Sequence, residues 1–205
     1  MICSSCRTIL QDYKERLTQC TRCGTFGKPG RVCDNCREWP GYLKKNFTAV
    51  PYEKQYRHAL HLLKFKKQGW LTPVFVELMT EELPVSAIDL IIPVPLHHNR
   101  LKERGFNQAA LMAKEAARKL ELAYDDKVLY RIMDTPHQTG LTKSQRQRNL
   151  TNAFSVPDVA KVRSRTVLLV DDVITSGTTI RECAKTLRKA GAKAVYSATF
   201  AAGIR

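Results

Sequence analysis

Thr166-Val-Leu-Leu-Val-Asp-Asp-Val-Ile-Thr-Ser-Gly-Thr-Thr-Ile180 reads as a strand, a loop of small polar residues and the start of a helix. Val167 to Val170 is an unbroken run of Val and Leu, the pattern of a strand covered on both faces of a parallel sheet. Beyond the loop, Ile180, Cys183, Ala184 and Leu187 recur at helical spacing and give one apolar face. Thr179 and Glu182 have the spacing of a capping box, and Gly191 stands where a left-handed cap ends a helix. Strand, short loop and helix in succession point to an α/β fold with a parallel sheet. Asp171 and Asp172 then fall at the carboxyl end of the strand, where open α/β sheets bind ligands. The amides and hydroxyls of residues 175–179 gather at a helix start, where donors converge and the helix dipole favours an anion. Two acids beside an anion cradle suit a ligand that carries both hydroxyls and phosphate.

This stretch resembles the phosphoribosyl pyrophosphate (PRPP) motif of the type I phosphoribosyltransferases, in which apolar residues lead into two acids and a Thr/Ser/Gly loop. The resemblance implies that Asp171 and Asp172 are the candidate catalytic residues and contact the ribose hydroxyls. It implies that Thr175, Ser176, Gly177, Thr178 and Thr179 hold the 5′-phosphate, with Val173 and Ile174 in the same binding segment.

A chain of 205 residues, 43% of them hydrophobic, is long enough for one α/β domain and a small appendage. No apolar run approaches the roughly 20 residues of a membrane span, and the polar start shows no signal peptide, so a cytoplasmic protein without membrane insertion is expected. The formal charge of +15, from 34 Lys and Arg against 19 Asp and Glu, raises the local concentration of polyanions and makes nucleic acid a natural partner. Residues 1–45 hold nine cations against four acids, and residues 137–166 six against one.

Six of the seven cysteines form the pairs Cys3/Cys6, Cys20/Cys23 and Cys33/Cys36, each with two residues between. A cytosolic chain uses such density for metal far more often than for disulfides, and two pairs close a tetrahedral Zn2+ site. Cys20-Thr-Arg-Cys-Gly24 has the form of a zinc knuckle, which favours Cys20, Cys23, Cys33 and Cys36 as one site. Cys3 and Cys6 then either pair with Cys20 and Cys23 instead or belong to a second site. Trp39-Pro-Gly breaks the chain after this segment, so the expected division is a Cys-rich zinc ribbon over residues 1–45 and an α/β domain over 46–205.

Within the second part, Thr48 to Tyr52 reads as a first strand, and Tyr56, Ala59, Leu60 and Leu63 as a helical face. Thr72 reads as the N-cap of a helix with Pro73 at its first position, running to about Leu83. Asp89-Leu-Ile-Ile-Pro-Val-Pro95 is a second buried strand that delivers a basic loop holding His98, Arg100, Lys102 and Arg104, suited to phosphate oxygens. Asn107 caps the helix after it, with Leu111, Ala113, Ala117 and Leu120 available for packing. Lys127 to Met133 alternates loosely. The polar stretch from Thr135 to Phe154, with Arg146 and Arg148, has the length and charge of a lid that closes over PRPP. Ala194 to Ala201 is the final strand and is expected to close the sheet.

The whole chain resembles the ComF family, a Cys-rich amino-terminal zinc segment joined to a phosphoribosyltransferase-type domain. The matching residues are the three Cys pairs, Leu62-Leu-Lys-Phe-Lys66, Pro93-Val-Pro95, Arg104-Gly-Phe-Asn-Gln-Ala109, Gln138-Thr-Gly-Leu141, Arg148-Asn-Leu150 with Ala153-Phe154, and Val170-Asp-Asp-Val-Ile-Thr-Ser-Gly-Thr-Thr179. The resemblance implies a role in natural competence and the handling of imported single-stranded DNA, with partners such as a DNA translocase. It also implies PRPP with Mg2+, because hard oxygen ligands suit that ion. Two other readings stand beside this one: an active phosphoribosyltransferase on a base or other small acceptor, and a PRPP-sensing regulator. Bases of single-stranded DNA are expected to stack on Trp39, Tyr42 or Phe47.

Overall fold

The computed structural model describes residues 4–27, 32–37, 39, 41–65, 69–133 and 150–204, except for the side chains of Cys6, Lys54, Lys64 and Phe65. Cys3, the Cys6 side chain, Arg146 and Arg148 therefore lie outside the described residues.

The chain opens with helix α1 (Ser4–Arg16), a two-stranded ribbon of β1 (Thr18–Gln19) and β2 (Phe26–Gly27), and the single turn α2 (Asp34–Arg37). Strand β3 (Asn46–Pro51) leads to α3 (Lys54–Phe65) and α4 (Thr72–Thr80), then to β4 (Leu90–Pro93), α5 (His98–Arg104), α6 (Gln108–Leu120) and β5 (Ala123–Tyr124). A small antiparallel pair, β6 (Tyr130–Arg131) with β7 (Phe154–Ser155), precedes β8 (Thr166–Ile174), α7 (Thr178–Lys189) and β9 (Ala194–Ala202). The main sheet has five strands in the order β3-β9-β8-β4-β5, every neighbouring pair parallel. The α/β class with a parallel sheet flanked by helices is thus as the sequence indicates. β9 lies between β3 and β8, so it fills the sheet rather than closing its edge.

Alternation along β8 shows why this sheet needs cover on both sides. Val167 and Leu169 enter one hydrophobic cluster with Ile180, Cys183 and Leu187 of α7, whereas Leu168 and Val170 enter another with α3, α4 and α6. All four are 0–1% exposed, and each such side chain contributes about 1.5–3 kcal/mol by leaving water. On the second face Phe75 stacks on Phe200 at 3.9 Å between ring centroids.

The cysteine-rich segment joins the same packing. Cys20, Cys23, Cys36, Trp39 and Leu43 share a cluster with Val167 and Leu169, and Leu10 of α1 joins the opposite one. Phe26 N donates to Gly203 O, and Asn46 N to Arg22 O. Gly24, at φ +68°, lets the knuckle pass the first strand closely, since a Cβ there would lie 2.6 Å from Thr48 Oγ1.

Several local expectations change. Residues 4–16 are helical, so the segment is more than a ribbon. Thr72 opens α4 within the helix, with no side-chain cap on it, and the helix stops at Thr80. The expected Thr179/Glu182 capping box is absent: the N-cap of α7 is Gly177, without a side-chain cap bond, two residues earlier than a box on Thr179 requires. Gly191 does adopt φ +96° after the helix. The basic loop coils into α5, and on α6 the packing face uses Met112 and Ala116 with Ala113 and Ala117, leaving Leu111 exposed. Trp39 is 4% exposed, which removes it as a platform for bases.

Candidate functional site

A crevice of about 430 Å³ lies at the carboxyl ends of β4 and β8. From β4 the chain runs through α6 to β5, and from β8 through α7 to β9, in opposite directions along the sheet. The connections diverge between these two strands, and that is where an open parallel sheet leaves room for a ligand.

Asp171 and Asp172 line one wall, half-buried, with Asp171 Oδ1 accepting from Asp172 N at 2.9 Å. The strand continues past the acids to Ile174, where pairing of Val173 with Ala201 and Ile174 with Ala202 still holds the backbone. Residues 175–179 then turn into α7 and line the same crevice. Gly177, at φ +75°, makes that turn, and Ser176 Oγ sits 2.9 Å from Thr178 Oγ1. The Thr178 amide donates to Ser176 Oγ at 3.4 Å. Amides at the start of a twelve-residue helix thus face the crevice with the positive end of the helix dipole.

The opposite wall comes from α5 and α6. Arg100 and Arg104 line it, while His98 and Lys102 are exposed on other sides of α5 and do not. His97, buried at 7% exposure, caps α5, its Nδ1 accepting from Asn99 N at 3.4 Å. Asn107 caps α6 as expected and also donates from Nδ2 to Val94 O at 3.0 Å, which fixes the helix start against the end of β4.

Two lining residues escape a reading of the sequence. Gln108, 2% exposed, accepts at Oε1 from Arg104 Nη1 at 3.2 Å, and its Nε2 has no hydrogen-bond partner among the described residues. Arg131 reaches the crevice from β6, far from the other cations in sequence. Its stretch alternates too weakly to mark it, and only the β6–β7 pairing places it. Three guanidiniums and two carboxylates therefore face one another around the crevice, a field for a polyanion that also carries hydroxyls or a divalent cation.

The second candidate site is the cysteine cluster. One ligand atom from each of Cys20, Cys23, Cys33 and Cys36 lies within 4.8 Å of the others, so these four could hold a metal ion. Cys23 Sγ and Cys33 Sγ are 3.7 Å apart, against about 3.8 Å for two thiolates on a tetrahedral ion with 2.3 Å bonds. Cys33 N donates to Cys20 Sγ at 3.3 Å, and Thr25 Oγ1 lies 3.0 Å from Cys23 Sγ. A hydrogen bond from Cys36 lowers the Cys23 thiol to about 5, whereas the same bond and burial push Cys36 up. Burial and the neighbouring Cys23 charge also raise Cys33. Cys23, Cys33 and Cys36 thus share protons that a cation would displace.

Residues 102–205 match the phosphoribosyl transferase domain family. Competence protein F of Haemophilus influenzae is 32% identical over 95% of this chain and 87% of its own length. DNA utilization protein YhgH of Salmonella typhi is 31% identical over the same shares. Competence protein ComFC of Bacillus subtilis is 23% identical over 96% of this chain and 81% of its own length.

Proposed function

This chain belongs to the competence protein F family and carries its phosphoribosyl transferase domain, and on that premise we propose that the crevice binds PRPP together with Mg2+. The observation that carries the reading is the convergence of Asp171, Asp172 and the amides of residues 175–179 on one crevice at the point where the sheet connections diverge. A 5′-phosphate fits the helix start, and ribose hydroxyls fit the carboxylates. The pyrophosphate fits Arg100, Arg104 and Arg131, where guanidinium geometry favours phosphate oxygens. Gln108 Nε2 supplies one more donor on that wall.

Asp171 and Asp172 offer the hard carboxylate oxygens that would hold Mg2+, which would supply positive charge to the bound phosphate groups. In a transfer to an acceptor the bond from the anomeric carbon to pyrophosphate breaks, and the three arginines stabilise the charge that collects on the departing group. Calorimetry of PRPP with Mg2+ against the wild type and the D171A/D172A double variant tests the site. Binding to the wild type that the double variant loses supports it, and equal binding to both overturns it.

The cysteine cluster takes Zn2+, the ion for which a donor set of four cysteines is most common in structural sites. Residues 1–45 serve as the metal-organised unit and residues 46–205 as the ligand-binding unit. The chain acts in competence and DNA use, as the names of its relatives support. Its place of action is the cytoplasm, where the net charge of +15 attracts single-stranded DNA. Among the described residues no helix is long and apolar enough to cross a membrane. Tyr42 and Phe47 are only half-exposed, whereas Trp70 is 67% exposed and offers a better surface for a base.

A further inference from the structure

We propose that Trp39 is a positioning residue through which the cysteine cluster sets the shape of the anion-binding loop at Gly177, an inference that rests on reading this loop as the 5′-phosphate site. Trp39 comes from the cysteine-rich segment, yet its ring lies against the loop. A Cβ on Gly177 would stand 2.6 Å from Trp39 Cζ2 and 2.8 Å from Cη2, so the six-membered part of the indole presses on the Gly177 backbone. Gly177 holds φ +75° there as the N-cap of α7, and its carbonyl accepts from Arg181 N at 3.0 Å.

Arg181 makes the second contact. Its guanidinium lies 5.0 Å from the Trp39 ring centroid, and Nη2 donates to Thr178 Oγ1 at 3.4 Å. The ring therefore touches the loop directly at Gly177 and through Arg181 at Thr178. Both are residues whose backbone direction decides where the helix-start amides point.

The other end of the link is the cluster. Trp39 N donates to Cys36 O at 3.1 Å, and Arg22 Nη1 donates to the same carbonyl at 2.9 Å. Cys36 is 0% exposed and supplies one of the four sulfurs. Closing the sulfurs on a metal fixes Cys36, and the hydrogen bond from Trp39 N to its carbonyl carries that restraint to the ring against Gly177. Arg100 and Arg104 stand on the far wall, so the coupling acts on one end of the crevice only.

The test compares two probes, ribose 5-phosphate and inorganic pyrophosphate with Mg2+, by calorimetry on the full chain. The proteins are the wild type, W39F and W39Y, each with metal and after chelation, with circular dichroism as the fold control. Phe and Tyr keep an aromatic ring but lack the atoms that reach Gly177. Expected are about a tenfold loss of ribose 5-phosphate affinity in either variant, a similar loss in the chelated wild type, and pyrophosphate affinity unchanged. Chelation of the variants adds little, because the two changes break the same link. A metal-loaded variant that binds ribose 5-phosphate like the wild type overturns the proposal. So does an equal loss for both probes, or a chelated and still folded wild type with unaltered affinity. A metal-loaded wild type that binds pyrophosphate but not ribose 5-phosphate overturns the loop's assignment itself, and with it the link.

Discussion

The Asn46 side-chain amide donates to the Cys23 carbonyl at 2.9 Å, tying the knuckle of the cysteine cluster to the first strand of the sheet. Asn46 is fully buried, and its Oδ1 accepts from Ser197 Oγ at 2.7 Å. Its Nδ2 also donates to Thr48 Oγ1 and Thr199 Oγ1, which keep each other as partners. Replacing Asn46 by Ala therefore takes this partner from the Cys23 carbonyl and the Ser197 hydroxyl, at about 1–3 kcal/mol for each. N46A is expected to unfold at lower denaturant concentration and to release metal faster. A variant as stable as the wild type in urea titration would show that the tie is dispensable.

Metal content is the next expectation. The purified chain should carry zinc at the four-cysteine cluster, and C20S or C36S should lower the zinc content. Because Cys20, Cys23 and Cys36 share a hydrophobic cluster with Val167 and Leu169, chelation is expected to lower the melting temperature of the whole chain, not of one segment. Elemental analysis that finds no zinc in protein prepared under reducing conditions would refute this. Protons compete with the ion for thiolates, so zinc should be lost on acidification and retained near neutrality.

Ligand binding provides the third prediction. Removal of both carboxylates in D171A/D172A deletes two charge-assisted sets of contacts, about 1.5–3 kcal/mol each, and should weaken PRPP by about a hundredfold or more. The fold should survive, since both side chains are half-buried at the crevice edge.

Arg131 gives a sharper discrimination. R131L should weaken pyrophosphate and PRPP but leave ribose 5-phosphate affinity near that of the wild type, because this cation is proposed to hold the pyrophosphate and not the 5′-phosphate. Calorimetry with the three ligands decides it, and an equal loss for all three would move Arg131 out of the pyrophosphate role.

DNA binding should be electrostatic in the main. The logarithm of the affinity for single-stranded DNA should fall with the logarithm of salt by about 0.7 per phosphate neutralised. Replacing the exposed Trp70 by Ala should remove a salt-insensitive part of about 1–3 kcal/mol if one base stacks there. The full chain is needed, because removing the cysteine segment takes Trp39 and Leu43 with it and uncovers Val167, Leu169 and Ile180 of the cluster they share. Binding that ignores salt would assign the surplus charge to another partner.

The sequence alone determined the parallel α/β class and the strand and helix around Asp171 and Asp172, and it favoured Cys20/Cys23 with Cys33/Cys36, a grouping that the structure brings together. Each is carried by local spacing: an unbroken apolar run, a helical period, or ligands close enough along the chain to share one ion. What local spacing does not carry was decided by tertiary structure. Arg131 joins Arg100 and Arg104 only because β6 pairs with β7 and lies beside the crevice, a contact between segments far apart in the chain. His98 and Lys102 leave the site because the basic loop coils into α5, whose turn sends alternate cations to different sides. Trp39, which reads from the sequence as an exposed aromatic after a metal segment, is buried against Gly177. A glycine without a side chain leaves a space that only a folded chain can bring a ring to fill.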